Sequence, residues 1–243
     1  MSYFFVVAGK YDVSACELNP DTFRYLYERE YYDIAKSMVD VALVNFTDKN
    51  SLAFATAVEL SGLISMDLND QHGALDRFRE ALRICKKLVE PGDPIIASHL
   101  VNVALANTEM GKLAEAYEAH ELAMDIRLKS GSSRIGNSYS NMSSLLLRMG
   151  KADEAEEMLK RCPSLKEFTD ETFIKTGNPR FSGDMVLLSR IRYAQGRLDE
   201  ASRLSSKALL FRQSLLGDRI KTCDSLYDVA FFIHKQGDPA SAM

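Results

Sequence analysis

The sequence gathers its basic residues into no run, places no two cysteines as CxxC, and holds no apolar stretch approaching the roughly 20 residues of a membrane span. The first lack weighs against nucleic acid. Its 30 Lys and Arg are spread among 34 Asp and Glu for a formal charge of −4, without the basic stripe that phosphate binding requires. The second weighs against a zinc ribbon or a dithiol centre: Cys16, Cys85, Cys162 and Cys223 stand far apart, at least three in segments that read as helices, and so read as reduced, packed thiols. The third leaves Phe4 to Ala8 as the only apolar opening run, with no basic flank and too short for a leader. The expectation is a soluble, cytoplasmic protein without a membrane partner. On that expectation the sequons Asn45-Phe46-Thr47 and Asn141-Met142-Ser143 are chance matches.

Signatures of catalysis are missing as well. There is no glycine-rich phosphate loop, no GxSxG, and no second histidine to complete a zinc motif with His120-Glu121. His72, His99 and His234 are scattered. His120 falls nine residues after Gly111, as Phe78, Leu159 and Val39 fall nine after Asn69, Gly150 and Glu30, so it reads as a hydrogen-bonded core histidine rather than a ligand. Cys162 occupies a small-residue packing slot rather than a nucleophile's place. The serines from Ser130 to Ser144 invite phosphorylation, although a turn at Gly131 and an exposed helix face account for most of them. No enzyme, cofactor or metal is expected.

What the sequence does contain is an internal repeat. "TEMGKLAEAYEAHELAM" sets Gly111, Ala116 and Ala123 at offsets of five and seven, "LRMGKADEAEEMLKRC" repeats them as Gly150, Ala155 and Cys162, and "YAQGRLDEASRLSSKA" as Gly196, Ala201 and Ala208. With the glycine as a ruler, Asn69, Ala74 and Ala81 fit the pattern, as do Glu30, Ala35 and Ala42, and Gly237 with Ala242 begins it again. Apolar residues recur at helical spacing on both sides, as with Leu100, Val103 and Ala104 before Gly111 and Leu113, Ala116, Tyr117, His120 and Ala123 after it. Each unit is therefore a helical hairpin. The glycine tolerates the left-handed conformation that ends the first helix. The two alanines, two turns apart on one face, let the paired helices approach.

Local signals mark the ends. Asn19-Pro20, Asp93-Pro94 and Asn178-Pro179 each offer an N-cap followed by proline, and Gly92, Gly131, Gly177 and Gly217 stand where second helices should stop. Ruler positions 30, 69, 111, 150, 196 and 237 are 39 to 46 residues apart. The longest spacing has a cause: Pro163 should break the helix after Cys162, and "SLKE" at Ser164 to Glu167 has capping-box form for an extra short helix to about Thr176.

"ASHLVNVALANTEMGKLAEAYEAHELAMDI" and "SYSNMSSLLLRMGKADEAEEML" resemble tetratricopeptide repeats, specifically the longer class of about 42 residues found in kinesin light chains and many fungal proteins. The resemblance covers about residues 20 to 243. Asn69 for the first glycine, Cys162 for an alanine and Pro163 for the usual leucine depart from the pattern. It implies an all-α fold, a right-handed superhelix of antiparallel hairpins. Residues 1–18 are expected to form a weakly structured N-terminal segment, and 19–243 about five repeats plus a truncated sixth.

The resemblance also implies that first helices line a concave groove through positions 13, 9, 6 and 2 before each glycine. These are Ser98, Asn102, Leu105 and Glu109, then Asn137, Asn141, Ser144 and Arg148, then Gly183, Leu187, Arg190 and Ala194, then Asp224, Asp228, Phe231 and Lys235. Candidate contacts for a bound peptide are Ser98, Asn102, Asn137, Asn141, Ser144, Arg190 and Asp228. Asn102 and Asn141 align with the asparagine that in related repeats bonds a peptide backbone, a task that suits a carboxamide because it both donates and accepts. The structural alternative is that these side chains satisfy neighbouring helices.

The expected function is a scaffold binding a peptide or an extended protein segment. A second reading is the sensor region of a fungal NLR-like NTPase, since "LLSRIRYAQGRLDEASRLSSKAL" and "KTCDSLYDVA" resemble repeats carried behind such domains; an upstream P-loop domain in the parent gene would favour it. A third is a self-associating solenoid. Leu226, Val229, Phe231 and Phe232 precede Gly237 with almost no second helix to cover them, which is expected to mean a truncated product or dimerisation through the uncapped C-terminal helix.

Overall fold

The computed structural model describes residues 24, 25, 27, 31–166, 179–216 and 220–237, all of whose regular structure is helical. The chain divides between Ser132 and Ser133 into two compact units. The first holds α1 (Tyr32–Asn45), α2 (Leu52–Asp67), α3 (Gln71–Leu88), α4 (Pro94–Glu109) and α5 (Leu113–Lys129). The second holds α6 (Ile135–Arg148), α7 (Ala152–Leu159), the single turn α8 (Pro163–Lys166), α9 (Pro179–Ala194), α10 (Leu198–Leu216) and α11 (Ile220–Lys235). Helices α2 and α3, α4 and α5, α6 and α7, and α9 and α10 pair as hairpins. The fold is thus the expected all-α array of hairpins. None of these helices is long and apolar enough to cross a membrane.

The backbone confirms the ruler. Gly111, Gly150, Gly196 and Gly237 have φ of 73°, 77°, 77° and 88°, and Asn69, the substitute for glycine, has φ 63°. Asparagine is among the few side-chain-bearing residues that enter this region readily. At Gly111 the turn closes by two bonds, its own N–H to Thr108 O and Lys112 N–H to Asn107 O. Gly150 and Lys151 bond Leu147 O and Leu146 O in the same way. These satisfy carbonyls that the end of a helix would otherwise leave unpaired. The ruler position at Glu30 lies outside the described residues.

The small residues do what their spacing implied. Ala35, Ala42, Ala74, Ala81, Ala116, Ala123, Ala155, Cys162, Ala201 and Ala208 are all 0% exposed. In the first unit Ala35, Val39 and Ala42 pack with Ala55, Val58, Leu60, Ile64, Ala81 and Ile84. In the second, Met185 and Val186 of α9 meet Ala208 and Phe211 of α10. Gly62 is kept bare by close packing: a Cβ there would stand 2.6 Å from Phe78 Cε1, and Phe78 is itself fully buried.

Helix starts differ in detail. Asp93 caps α4 as expected, its Oδ1 accepting from Ile95 N–H at 2.8 Å, but Ser51 and Asp70 cap α2 and α3 with no such expectation. Helix α3 stops at Leu88, short of Gly92, which lies instead in the turn before Asp93. Helix α8 starts at Pro163, one residue before the capping-box serine, because proline at a first helical position forfeits no intrahelical bond. The expected remainder of that helix, Asn19-Pro20, Gly177, Gly217, Cys16, Ala242 and the segment 1–18 lie outside the described residues. Cys85 and Cys162 are packed, whereas Cys223 is exposed on α11.

Candidate functional site

In the first unit, Ser98 and Asn102 lie one turn apart on α4 and both are half-buried, while Leu105 and Glu109 beyond them are exposed. Asn102 does not stand alone. Its Nδ2 donates to Glu59 Oε1 of α2 at 2.6 Å. The same oxygen lies 3.5 Å from His99 Nδ1, and His99 Nε2 meets Cys85 Sγ of α3 at 3.0 Å. Thiol, imidazole, carboxylate and carboxamide thus stand in a row across three helices, hydrogen-bonded in two pairs with no bond between His99 and Glu59.

That order resembles a nucleophile relay, but burial removes the chemistry. Cys85 and His99 are 0% and 2% exposed. Burial, with Glu59 and Asp93 adding to it, pushes the Cys85 thiol up to about 11. Burial also pulls His99 below its ordinary value, against an opposing pull from Glu59. A neutral ring whose Nε2 accepts the thiol S–H fits the short contact, while Nδ1, 3.5 Å from Glu59, makes no hydrogen bond. A reactive thiol needs access and a lowered pKa, and Cys85 has neither.

The second unit shows why the link exists. Cys85 stands sixteen residues after Asn69, and Arg212 sixteen after Gly196. Each bonds the residue twelve before the next turn: Cys85 bonds His99, and Arg212 Nη1 donates to Ser225 Oγ at 2.8 Å. With no thiol or imidazole in the second instance, what recurs is a hydrogen bond fastening one repeat to the next. Arg212 Nε also donates to Ser182 at 3.1 Å, and burial lowers the guanidinium's pKa.

Asn137, Asn141 and Ser144 share one face of α6, with Asn137 and Ser144 exposed and Asn141 half-buried; Arg148 is exposed. Ser140, beside them, donates to Asp184 Oδ1 of α9 at 2.6 Å. Arg190 and Asp228 are brought directly together, Nε and Nη2 donating to the two carboxylate oxygens at 3.1 and 3.2 Å. The guanidinium stays half exposed while Asp228 is buried. Beyond this pair, the Phe231 ring packs edge-on against Tyr193 at 5.3 Å, with the Lys235 ammonium 5.5 Å from its centroid. The expected uncovered face of α11 is only partly open. Phe232 is 2% exposed and packs on Tyr193, Val229 and Phe231 are half-buried, and Leu226 and Tyr227 remain exposed.

A charged cluster sits at the turn end of the same unit. Arg192 of α9 pairs with the buried carboxylate of Glu156 on α7, which also accepts from Gln195 and meets Lys160. The Arg192 bond, ahead of the opposing effect of burial, holds Glu156 well below the usual carboxylate range. Gln195 reaches Asp153 as Gln236 reaches Asp199; each glutamine precedes a turn glycine and each aspartate lies three residues after the previous one. His120 is buried as expected, and its Nδ1 has no hydrogen-bond partner among the described residues. Burial, then Arg127, pulls it down to about 4.

Comparison with known proteins agrees with this geometry. Residues 95–162 match the tetratricopeptide repeat family model. No curated protein matches the sequence at a significant level. Among solved structures, the apo form of the quorum sensor NprR from B. thuringiensis is similar at TM-score 0.65 and 17% identity, over 92% of this chain and 60% of that one. The Rap conjugation gene regulator of plasmid pLS20, solved with the Phr* peptide, gives 0.64 at 16%, over 90% and 68%. Kinesin-light-chain TPR-like repeats of Podosopora anserina give 0.63 at 15%, over 84% and 98%. These likenesses establish the fold.

Proposed function

The chain is a tetratricopeptide-repeat protein, and from that premise we propose that it is a non-catalytic scaffold holding a peptide or extended protein segment along its first helices. One observation carries the reading. The residues that pair the helices are fully buried, whereas the first helices leave a polar set, Ser98, Asn102, Asn137, Asn141, Ser144 and Arg190, at least partly open to solvent, with Asp228 beneath Arg190. Polar groups that the fold does not need to bury are available to satisfy a peptide's backbone, which otherwise loses its bonds to water on binding. The solved relatives support it: NprR is a quorum sensor, and the Rap regulator holds a peptide.

The test is capture of partners on the full chain, followed by calorimetry with Asn102→Ala, Asn141→Ala and the double variant. Each lost carboxamide should weaken binding by about 1 kcal/mol. Because the two residues lie in different units, each single variant reports on its own. A partner whose footprint lies wholly on second helices, and whose affinity ignores the double change, would refute the reading.

A further inference from the structure

A carboxamide can present either end to a ligand, and something must decide which. At Asn102 the decision is built in. Glu59 Oε1 stands 2.6 Å from Nδ2, and a carboxylate oxygen there repels Oδ1 as strongly as it attracts the N–H. His99 Nδ1 lies 3.5 Å from the same oxygen without a hydrogen bond to it, on a buried ring fixed by its Nε2 contact with Cys85 Sγ at 3.0 Å. Oδ1 is engaged by no protein group among the described residues, yet it is not sealed inside the core.

We propose that Glu59 is a positioning residue for recognition: it locks the Asn102 carboxamide so that Oδ1 is the atom presented to a bound segment, and the contact made there is to a peptide N–H. The proposal rests on the scaffold reading above, and it narrows the ligand chemistry at this position to a hydrogen-bond donor. Glu59 sits ten residues before Asn69, where Val101 sits ten before Gly111. The locking charge therefore belongs to this hairpin and not to the repeat pattern.

The first arm of the test needs no ligand. In the full chain labelled with 15N-asparagine, the Asn102 side-chain NH2 should exchange with solvent about tenfold more slowly than that of exposed Asn137. Glu59→Leu, which removes the acceptor, should abolish that protection. Glu59→Gln, which keeps one acceptor oxygen and the same shape, should retain most of it and guards against a variant that fails to fold. Equal exchange at Asn102 and Asn137 in the wild type, or protection that survives Glu59→Leu, overturns the proposal.

The second arm uses a linear peptide selected from a random display library on the full chain, resynthesised with each backbone N–H methylated in turn. One methylation should weaken binding to the wild type about tenfold and leave binding to Asn102→Ala unchanged. In Glu59→Leu that penalty should fall below about threefold, because the carboxamide is free to turn. If every methylation costs the same in wild type and Asn102→Ala, Asn102 accepts no peptide N–H and the positioning proposal fails, while the scaffold reading stands as long as Asn102→Ala weakens binding. If binding ignores both asparagines, the scaffold reading fails and the proposal with it.

Discussion

One substitution, glycine to alanine, should have opposite effects at two places in the second unit where an added methyl group meets nothing. At Gly150 and at Gly183 a Cβ would have no heavy atom within 4 Å, so neither cavity nor clash decides the outcome. Gly150 has φ 77°, where an L-residue is disfavoured by roughly 1–2 kcal/mol. Restricting the unfolded chain returns roughly 0.4–1 kcal/mol, leaving a net loss near 1 kcal/mol. Gly183 is exposed within α9, and alanine in a helix interior is favoured over glycine by about 0.8–1 kcal/mol. The two variants should therefore differ by about 2 kcal/mol. With a urea dependence of roughly 1–3 kcal/mol per molar, their midpoints should separate by about 1 M at unchanged slope. Far-UV circular dichroism in urea gives the midpoints. Hydrogen exchange of the α6 and α7 amides locates the Gly150→Ala effect at that turn. A Gly150→Ala variant as stable as wild type would show that the turn does not depend on left-handed backbone, and a Gly183→Ala variant destabilised equally would show that backbone conformation does not set the sign; either would refute the reasoning.

Ala116→Leu should cost about 1–3 kcal/mol by overpacking the α4–α5 hairpin, read as a lowered urea midpoint; a neutral result would mean the helices do not need a small residue there. Acidification should destabilise the fold through His120. Its folded pKa of about 4 lies below the unfolded 6.5, so the unfolded chain takes up the proton first, and stability is lost as pH falls from 6.5 toward 4 at up to roughly 1.4 kcal/mol per unit. His120→Leu, matching Leu159 in its own hairpin, should flatten that window in urea midpoints measured against pH. Glu156→Gln leaves the nearly buried Arg192 guanidinium with only the more distant Glu200 carboxylate at 3.4 Å and should cost about 1–3 kcal/mol, whereas Glu157→Gln on the exposed side of the same helix should cost less than about 0.5 kcal/mol. Equal midpoints for the two would deny the buried pair its importance.

The hairpin pattern was legible because it depends on spacing along one chain. A glycine followed by small residues five and twelve positions later needs only local geometry, and every described position so read proved to be a left-handed turn or a fully buried slot. Asn69 was readable for the same reason, since its shape tolerates the glycine's conformation. The division after Ser132 was not, because "KSGSSR" resembles the other turns and Gly131 closes α5 with the same two bonds as Gly111. Helix α3 could not be ended correctly either. Gly92 looked like a terminator, but the capping aspartate that follows it needs a turn of its own, and the helix stops earlier to supply one.

The polar pairs were hidden by a different property of the sequence. Asn102 and Glu59 are 43 residues apart, Ser140 and Asp184 are 44 apart, and Arg190 and Asp228 are 38 apart; no helical period joins such partners. A trace was nevertheless present one residue from the positions that were read. Twelve before each turn stand His99, Ser138, Asp184 and Ser225, all buried and all polar, in a slot where Ala57 of the first hairpin obeys the ordinary rule. A polar residue that recurs where burial should demand an apolar one must have a partner, because an unpaired polar group there would cost roughly 1–3 kcal/mol. The sequence alone thus permits a deduction that a bond exists, although the partner stays unknown until the next helix is in place. That also explains why the carboxamide of Asn102 could be anticipated as available while the carboxylate orienting it could not. Availability is a property of one helix face, and orientation belongs to the two helices that meet there.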